Sequence, residues 1–376
     1  MDFEFSEEQR LLRESVAQFV AQDYPFSRRR ELAASEEGFG RDVWARFADL
    51  GWLALPFPEE AGGFGATPVE TMILMEAIGR GLMVEPFLST VVLGGGSLRL
   101  GGSPSQRAEA LPPLIEGKIL LAFAFAEPQS RFHLADVETR AERNGAGHRL
   151  TGRKIVVLHG GTADKLVVSA RTGGSARDEA GISLFLIDRA SPGVELRAYP
   201  TIDGLRAAEI TLEGVEAGPE SLLGELGGAL PLIEAVVDNG IAAVCAEALG
   251  AMEVLYETTL EYLRTRRQFG RPIGSFQVLQ HRMVDMYMEL EQARSMTYMV
   301  TLRLEDPDPA ERRRAASAAK VQIGESGRFV GRQAVQLHGG MGMVDEHLVS
   351  HYFKRLTVID TQFGNVDHHL ERMAAL

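Results

Sequence analysis

Apolar positions near the start of the chain recur at helical spacing. Phe5, Leu11, Leu12, Val16, Phe19 and Val20 form one stripe, and Ser6 followed by Gln9 has the spacing of a capping box. Val43, Phe47 and Leu50 line a second amphipathic stretch over 42–50, after which Pro56, Pro58 and Gly62-Gly63-Phe64-Gly65 break the pattern. Helix is expected again over 67–79, and Gly94–Gly96, Gly101–Pro104 and Pro112-Pro113 punctuate the next stretch of chain. Near Ile119 the period changes. Residues 119–126 are almost wholly apolar, and strand-length segments succeed them at 137–141, 154–158, 166–169, 182–187, 194–198 and 209–212. Turn signals such as Asn144-Gly145, Gly173-Gly174 and Ser191-Pro192-Gly193 separate them. No helix-period segment intervenes, which predicts an antiparallel β domain rather than a β-α-β nucleotide fold. From about Leu230 long helical patterns return over 232–262, 276–304 and from about 310 to Gly339-Gly340. The expected class is therefore α+β. It comprises an N-terminal helical domain (1–118), a middle antiparallel β domain (119–226) and a C-terminal four-helix-bundle-like domain (227–376).

Composition narrows the classes. Lys plus Arg number 39 and Asp plus Glu 52, a formal charge of −13, which argues against a nucleic-acid partner. No apolar run approaches the ~18–20 residues that cross a bilayer, so no membrane span is expected. The acidic first residues lack the pattern of a secretory signal, and the single cysteine, Cys245, forms no internal disulfide. A cytoplasmic protein is the expectation.

Several textures that resemble chemistry have plainer readings. His347 and His351 are four residues apart, but no third ligand accompanies them, so no metal is expected. Arg312-Arg313-Arg314 reads as a solvated helix face, and Cys245 as a small buried side chain in an alanine-rich helix. Two segments say more together. Arg266-Arg267-Gln268-Phe269-Gly270 closes one helix with a cationic fork and an aromatic face. Gln336-Leu337-His338-Gly339-Gly340 closes another with an amide and bare backbone. Both suit a pyrophosphate-bearing ligand, because Arg binds phosphate bidentately and glycine permits close backbone approach.

Five further segments stand out, namely Phe5-Ser6-Glu7-Glu8-Gln9, Pro58-Glu59-Glu60-Ala61-Gly62-Gly63-Phe64-Gly65, Ala126-Glu127-Pro128, Leu150-Thr151-Gly152-Arg153-Lys154 and Phe276-Gln277-x-x-Gln280. With Arg266-x-x-Phe269-Gly270 and Gln336-Leu337-His338-Gly339-Gly340, in this order and spacing, the chain resembles the acyl-CoA dehydrogenase family over nearly its whole length. More loosely, it is similar to the small, base-less subunit of two-subunit dehydrogenases of the pimeloyl-CoA type. The resemblance implies FAD as cofactor, an acyl-CoA substrate, an electron-transfer flavoprotein as acceptor and a dimeric or tetrameric assembly. In such an assembly one protomer holds the flavin ring and its neighbour supplies the Arg-x-x-Phe-Gly and Gln-x-x-Gly-Gly segments. Carried over by position, Arg266, Gln268, Phe269, Gln336, Gly339 and Gly340 are the elements offered to a neighbour's FAD. Backbone groups at Phe125 and Ala126 would serve the chain's own.

The match is uneven. Where the family has small polar loop residues after its Glu-Pro, this chain has Gln129-Ser130-Arg131-Phe132-His133. The aromatic that covers the flavin becomes Val156, and the Thr that binds its ring becomes Leu158. The usual catalytic Glu aligns with Phe363. The alternative base position aligns with Gly240, and the Arg beside it with Ile241. Asp238, which in the family helps to position the CoA arm, is the remaining carboxylate near that site. Three readings stay open. The chain is the base-less subunit of a heteromer with a homologous partner, or a homomer with a relocated base (Asp238 first, Asp360 next), or a non-catalytic acyl-CoA- or flavin-binding or scaffold protein.

Overall fold

The computed structural model describes residues 5–375. Helices α1 (Glu7–Gln22), α2 (Phe26–Ala34), α3 (Arg41–Asp49), α4 (Pro68–Gly81), α5 (Gly96–Gly101) and α6 (Pro104–Ile115) come first. Strands β1 (Leu121–Ala124), β2 (Arg140–Asn144), β3 (Gly147–Leu158), β4 (Lys165–Arg171), β5 (Ile182–Asp188), β6 (Val194–Pro200), β7 (Arg206–Ala217) and β8 (Leu222–Leu223) come second. The rest is α7 (Leu230–Thr265), the hairpin β9 (Arg267–Gln268) and β10 (Arg271–Pro272), α8 (Gln277–Arg303), α9 (Pro309–His338), α10 (Leu348–Thr361) and α11 (Val366–Ala375). These elements form two compact units that are not consecutive in sequence. One holds residues 32–67 and 84–240, the other 5–31, 68–83 and 241–375.

The first unit is built on a sheet ordered β6-β7-β3-β2-β4-β5-β8, with β1 beside β4. Its core gathers Leu150, Val157, Leu166, Val168, Phe185, Ile210 and Leu212, all fully or nearly fully buried. The expected antiparallel order holds for most of it, with one correction. β1 runs parallel to β4, pairing Leu121↔Lys165 through Ala124↔Val168, and β2 meets β4 in one parallel pair, Arg140↔Arg171. A parallel pair needs a crossover of a dozen or more residues. Here a loop and the β2–β3 hairpin supply it, so the lack of a helical period did not exclude it. A fully buried π-helical segment (Leu88–Gly95) and α6 occupy a stretch that the sequence presented as punctuated by Gly and Pro. α6 starts on its own capping box, Ser103 with Gln106, and carries Pro112 and Pro113 near its end.

In the second unit α1 begins as expected. Ser6 Oγ accepts the Gln9 N–H at 3.2 Å, and the Gln9 side chain accepts the Ser6 N–H at 3.0 Å. α4 and α7 touch backbone to backbone, since a Cβ on Gly250 would stand 1.9 Å from the Glu76 carbonyl oxygen. Ion pairs flank that crossing, Arg80 with Glu253 at 2.6 Å and Arg355 with Glu247 through two hydrogen bonds of 2.5 and 2.7 Å. α9 packs against α8, α10 and α11 along a face that includes Ala316, Ala319, Gly327 and Ala334, all buried. Among the described residues no helix is long and apolar enough to cross a membrane, and no His/Cys/Asp/Glu group could hold a metal ion.

Candidate functional site

Arg266, Gln268 and Phe269 stand at the exit of α7. Arg266 N–H donates to the Tyr262 carbonyl at 2.9 Å, and the Arg266 carbonyl accepts from Ile273 N–H at 2.8 Å, which fixes the base of the β9–β10 hairpin. Both turn residues have positive φ, 53° at Phe269 and 77° at Gly270. That is the type I′ pattern, which Asn-Gly or Gly-Gly satisfies with little strain. A phenylalanine there is strained by about 1–3 kcal/mol, and its ring is 89% exposed, with Phe276 edge-on 6.1 Å away. Neither backbone preference nor burial within the chain favours this residue.

Gln336, Gly339 and Gly340 end α9, and all three are exposed. Gly339 (φ 61°, ψ −141°) occupies a region essentially closed to other residues. Gly340 is more telling. Its φ is not positive, and a Cβ built on it would meet nothing within 4 Å. Nothing inside the chain asks for glycine, as expected where backbone is kept bare for an approaching group.

On the sheet unit, Phe125 and Ala126 come directly after β1, and the Ala126 carbonyl accepts Ile155 N–H at 2.9 Å. Glu127, 2% exposed, binds Lys154 Nζ at 2.6 Å and accepts the N–H groups of Glu138 (2.8 Å) and Thr139 (3.1 Å). Burial opposes the Glu127 charge, but the adjacent Lys154 outweighs it and holds the carboxyl below its usual range. Arg171 gathers the same loop, donating to the carbonyls of Ala135, Val137, Gly173, Ala176, Asp178 and Ala180 at 2.8–3.3 Å. Opposite, β3 bulges. Its register with β7 slips between Lys154 and Val157, and Val156 sits between them at φ 51°, about half exposed. A β-branched residue in that region is an outlier.

Phe363 lies in the corner after α10, at φ 59°. Its carbonyl accepts His369 Nε2 at 3.1 Å, which leaves His369 Nδ1 to accept from Ser317 Oγ at 3.2 Å. Lys320, fully buried, donates to the carbonyls of Ile359, Asp360 and Gly364 at 2.7–3.0 Å, satisfying groups that α10 leaves open at its C-terminus. Burial pulls Lys320 down to about 8, and burial together with the Lys320 charge pulls His369 down to about 3. Asp360 Oδ1 lies 2.4 Å from where a Gly324 Cβ would stand, and Asp360 Oδ2 is 3.8 Å from Arg328 Nε, so this carboxylate is engaged in packing α9 against α10. Asp238 lies on α7 and is 1% exposed, Gly240 is buried and Ile241 fully so.

Three family models match the chain in order. They are the acyl-CoA dehydrogenase N-terminal domain over residues 6–118, the middle domain over 122–215 and the C-terminal domain over 230–375. A rice (Oryza sativa subsp. japonica) mitochondrial isovaleryl-CoA dehydrogenase is 31% identical over 350 residues, 91% of this chain and 84% of that protein. The chain belongs to the acyl-CoA dehydrogenase family. Among solved structures, the ChsE4-ChsE5 complex from Mycobacterium tuberculosis is similar at 29% identity and TM-score 0.90, covering 100% of this chain and 98% of that one. An FAD complex of PigA is similar at 25% identity and TM-score 0.92, with 100% and 98% covered.

Within this acyl-CoA dehydrogenase homologue the strained backbone is concentrated. Among the described residues, non-glycine positive φ occurs at Leu82, Arg131, Val156, His159, Phe269 and Phe363. All but Leu82 fall in segments that carry the family resemblance or its departures. Strain of this kind persists where surrounding structure over-determines it, typically around ligands. Three supporting residues, Lys154, Arg171 and Lys320, were not among the residues expected at the site. Two of them left a signal in the sequence. Lys154 is the one charge in the strand-length segment 154–158, and Lys320 is a lone charge in the run of small and apolar residues Ala315–Val321.

Proposed function

We propose that this chain is the base-less subunit of a heteromeric acyl-CoA dehydrogenase, completing with its own Arg266, Gln268, Phe269, Gln336, Gly339 and Gly340 the FAD site of a homologous partner. The carrying observation is a pair. The segments offered outward are intact and exposed, while the position of the usual base holds Phe363 in a firmly clamped corner. The residues present fit one half of an FAD site. Gly340 leaves space that a Cβ would fill, Arg266 can hold phosphate as a planar fork, and the Phe269 ring is free to cover an apolar surface. The other half is weaker. Phe125 and Ala126 retain backbone groups, but Val156 and Leu158 bring neither aromatic cover nor a hydrogen-bonding side chain.

FAD held by Arg266, Gln268, Phe269, Gln336, Gly339 and Gly340 would supply a hydride acceptor for α,β-dehydrogenation of an acyl-CoA thioester, with a carboxylate needed to take the α-proton. That proton is weakly acidic, so the carboxylate and the donors to the thioester carbonyl act together. On this reading both belong to the partner, and Asp238 keeps its family role near the CoA arm. An electron-transfer flavoprotein would be the electron acceptor, as the resemblance implies. The outward face supports an assembly. Of the fifteen exposed large apolar side chains among the described residues, Phe269, Val278, Val284, Tyr287, Met288, Met341 and Met343 fall within 269–288 and 341–343. Exposed apolar side chains suit an interaction surface where they form a patch, and here they fall in or near the flavin-directed segments in sequence. The similar ChsE4-ChsE5 structure is itself a complex of two named components. The test is acyl-CoA oxidation with an artificial acceptor by the chain alone, by a homologous chain from the same genome alone, and by the two co-expressed. Turnover only in the last case supports the reading, and turnover by this chain alone removes it.

A further inference from the structure

The two outward segments are distant in sequence, yet both must meet one ligand. One ring contact joins the helices that carry them. Tyr262 lies one turn before Arg266, and its carbonyl accepts the Arg266 N–H. His338 immediately precedes Gly339. The Tyr262 and His338 rings stack, with centroids 4.4 Å apart and planes at 27°. His338 is 3% exposed, and its Nδ1 donates to the Ala334 carbonyl at 2.8 Å, which fixes the tautomer and leaves a lone pair on Nε2. His347 also neighbours the ring, with centroids 5.1 Å apart and planes at 53°. The turn after α9 folds back over it, since a Cβ on Gly342 would stand 3.2 Å from the His338 Cβ.

An apolar residue would fill this place at lower cost. Nε2 is buried without a hydrogen-bond partner, and a buried polar atom left so is unfavourable. Burial also holds the imidazole below its ordinary pKa, so the ring is neutral at pH 7 and can lie flat on the phenol. We propose that His338 is a positioning residue whose stacking on Tyr262 sets the spacing between the Arg266–Phe269 hairpin and the Gly339–Gly340 turn, and thereby the grip on FAD. This inference rests on the reading that those two segments bind FAD.

The test is the rate of FAD release from the FAD-loaded assembly, followed by flavin fluorescence, with the melting temperature and subunit association measured alongside. His338→Ala is expected to release FAD about 3- to 10-fold faster, the equivalent of one aromatic pair, with association unchanged. His338→Phe keeps a flat ring and is expected to release FAD at the wild-type rate. Tyr262→Leu should match His338→Ala, and the double variant should be no worse than either single one, because both remove one contact. Tyr262→Leu with Tyr262→Phe carries the test if His338→Ala does not fold. Wild-type release by His338→Ala or Tyr262→Leu, independent additive losses, or a His338→Phe variant as leaky as His338→Ala would overturn the proposal. The same measurement applies to a homomer. A chain that binds FAD alone therefore defeats the two-subunit reading without deciding the role of His338, which the release rates decide.

Discussion

Two regions of this molecule have kept opposite halves of an inheritance. In the hairpin and glycine turn at 266–270 and 336–340, Arg266, Gln268, Phe269 and Gln336 persist and stand exposed, and Phe269 holds a strained turn with its ring 89% exposed. In the sheet-unit wall at 125–161, the scaffold persists and the side chains have changed. Glu127, Lys154 and Arg171 still knit the loop, while Val156 and Leu158 fill positions where the family places chemistry. Relaxed drift erodes both regions alike. On the proposed reading, this difference means that one region answers to a ligand, and the other chiefly to the stability of its own fold.

The largest expected effect tests the scaffold half. Lys154→Met strands a buried carboxylate, so unfolding free energy should fall by about 3–5 kcal/mol, measured by denaturant titration. Lys154→Met combined with Glu127→Gln should recover part of that loss. If Lys154→Met instead leaves stability unchanged and weakens only ligand binding, the wall is not mere scaffolding.

The Phe363 corner comes next. Burial lowers Lys320 to about 8 from 10.5, so between those values the unfolded chain holds a proton that the folded chain has released. Stability carried by this group must therefore rise as pH increases through that window. Relative to Lys320→Met, the wild type should gain about 3 kcal/mol between roughly pH 7 and pH 10.5. A flat difference would mean that the clamp is not desolvated as described.

Smaller effects sharpen the other half. Arg266→Ala should weaken FAD binding by about 1.5–3 kcal/mol in the assembled protein, the usual loss for a charge-assisted hydrogen bond. The melting temperature should hold, because Arg266 is exposed. Gly340→Ala is the most discriminating at the smallest scale. Open space and an ordinary φ predict a stability change within about 0.5 kcal/mol, yet FAD retention should drop. An unchanged FAD affinity would show that the bare backbone there is incidental.

Much of the fold was legible because it derives from period and caps. The Ser6 and Gln9 box starts α1, and the long helical patterns appear as α7, α8 and α9 within a few residues of their expected limits. Parallel pairing of β1 with β4 was not legible, because a strand's own alternation carries no information about its neighbour's direction. Pro112 and Pro113 looked like a break but fall near the end of α6. At the site, residue types were legible and geometry was not. Phe269-Gly270 does not have the composition of a type I′ turn, so only the structure shows that its phenylalanine is strained. The stacking of His338 on Tyr262 joins residues on two helices with no shared local pattern.

The most direct trial of the central claim is the flavin content of the chain purified alone, set beside the same chain co-purified with its homologous partner. A colourless chain that yields a yellow, FAD-bearing complex only with that partner is the predicted result. A chain that emerges alone with stoichiometric FAD, bleached on addition of an acyl-CoA, would contradict it.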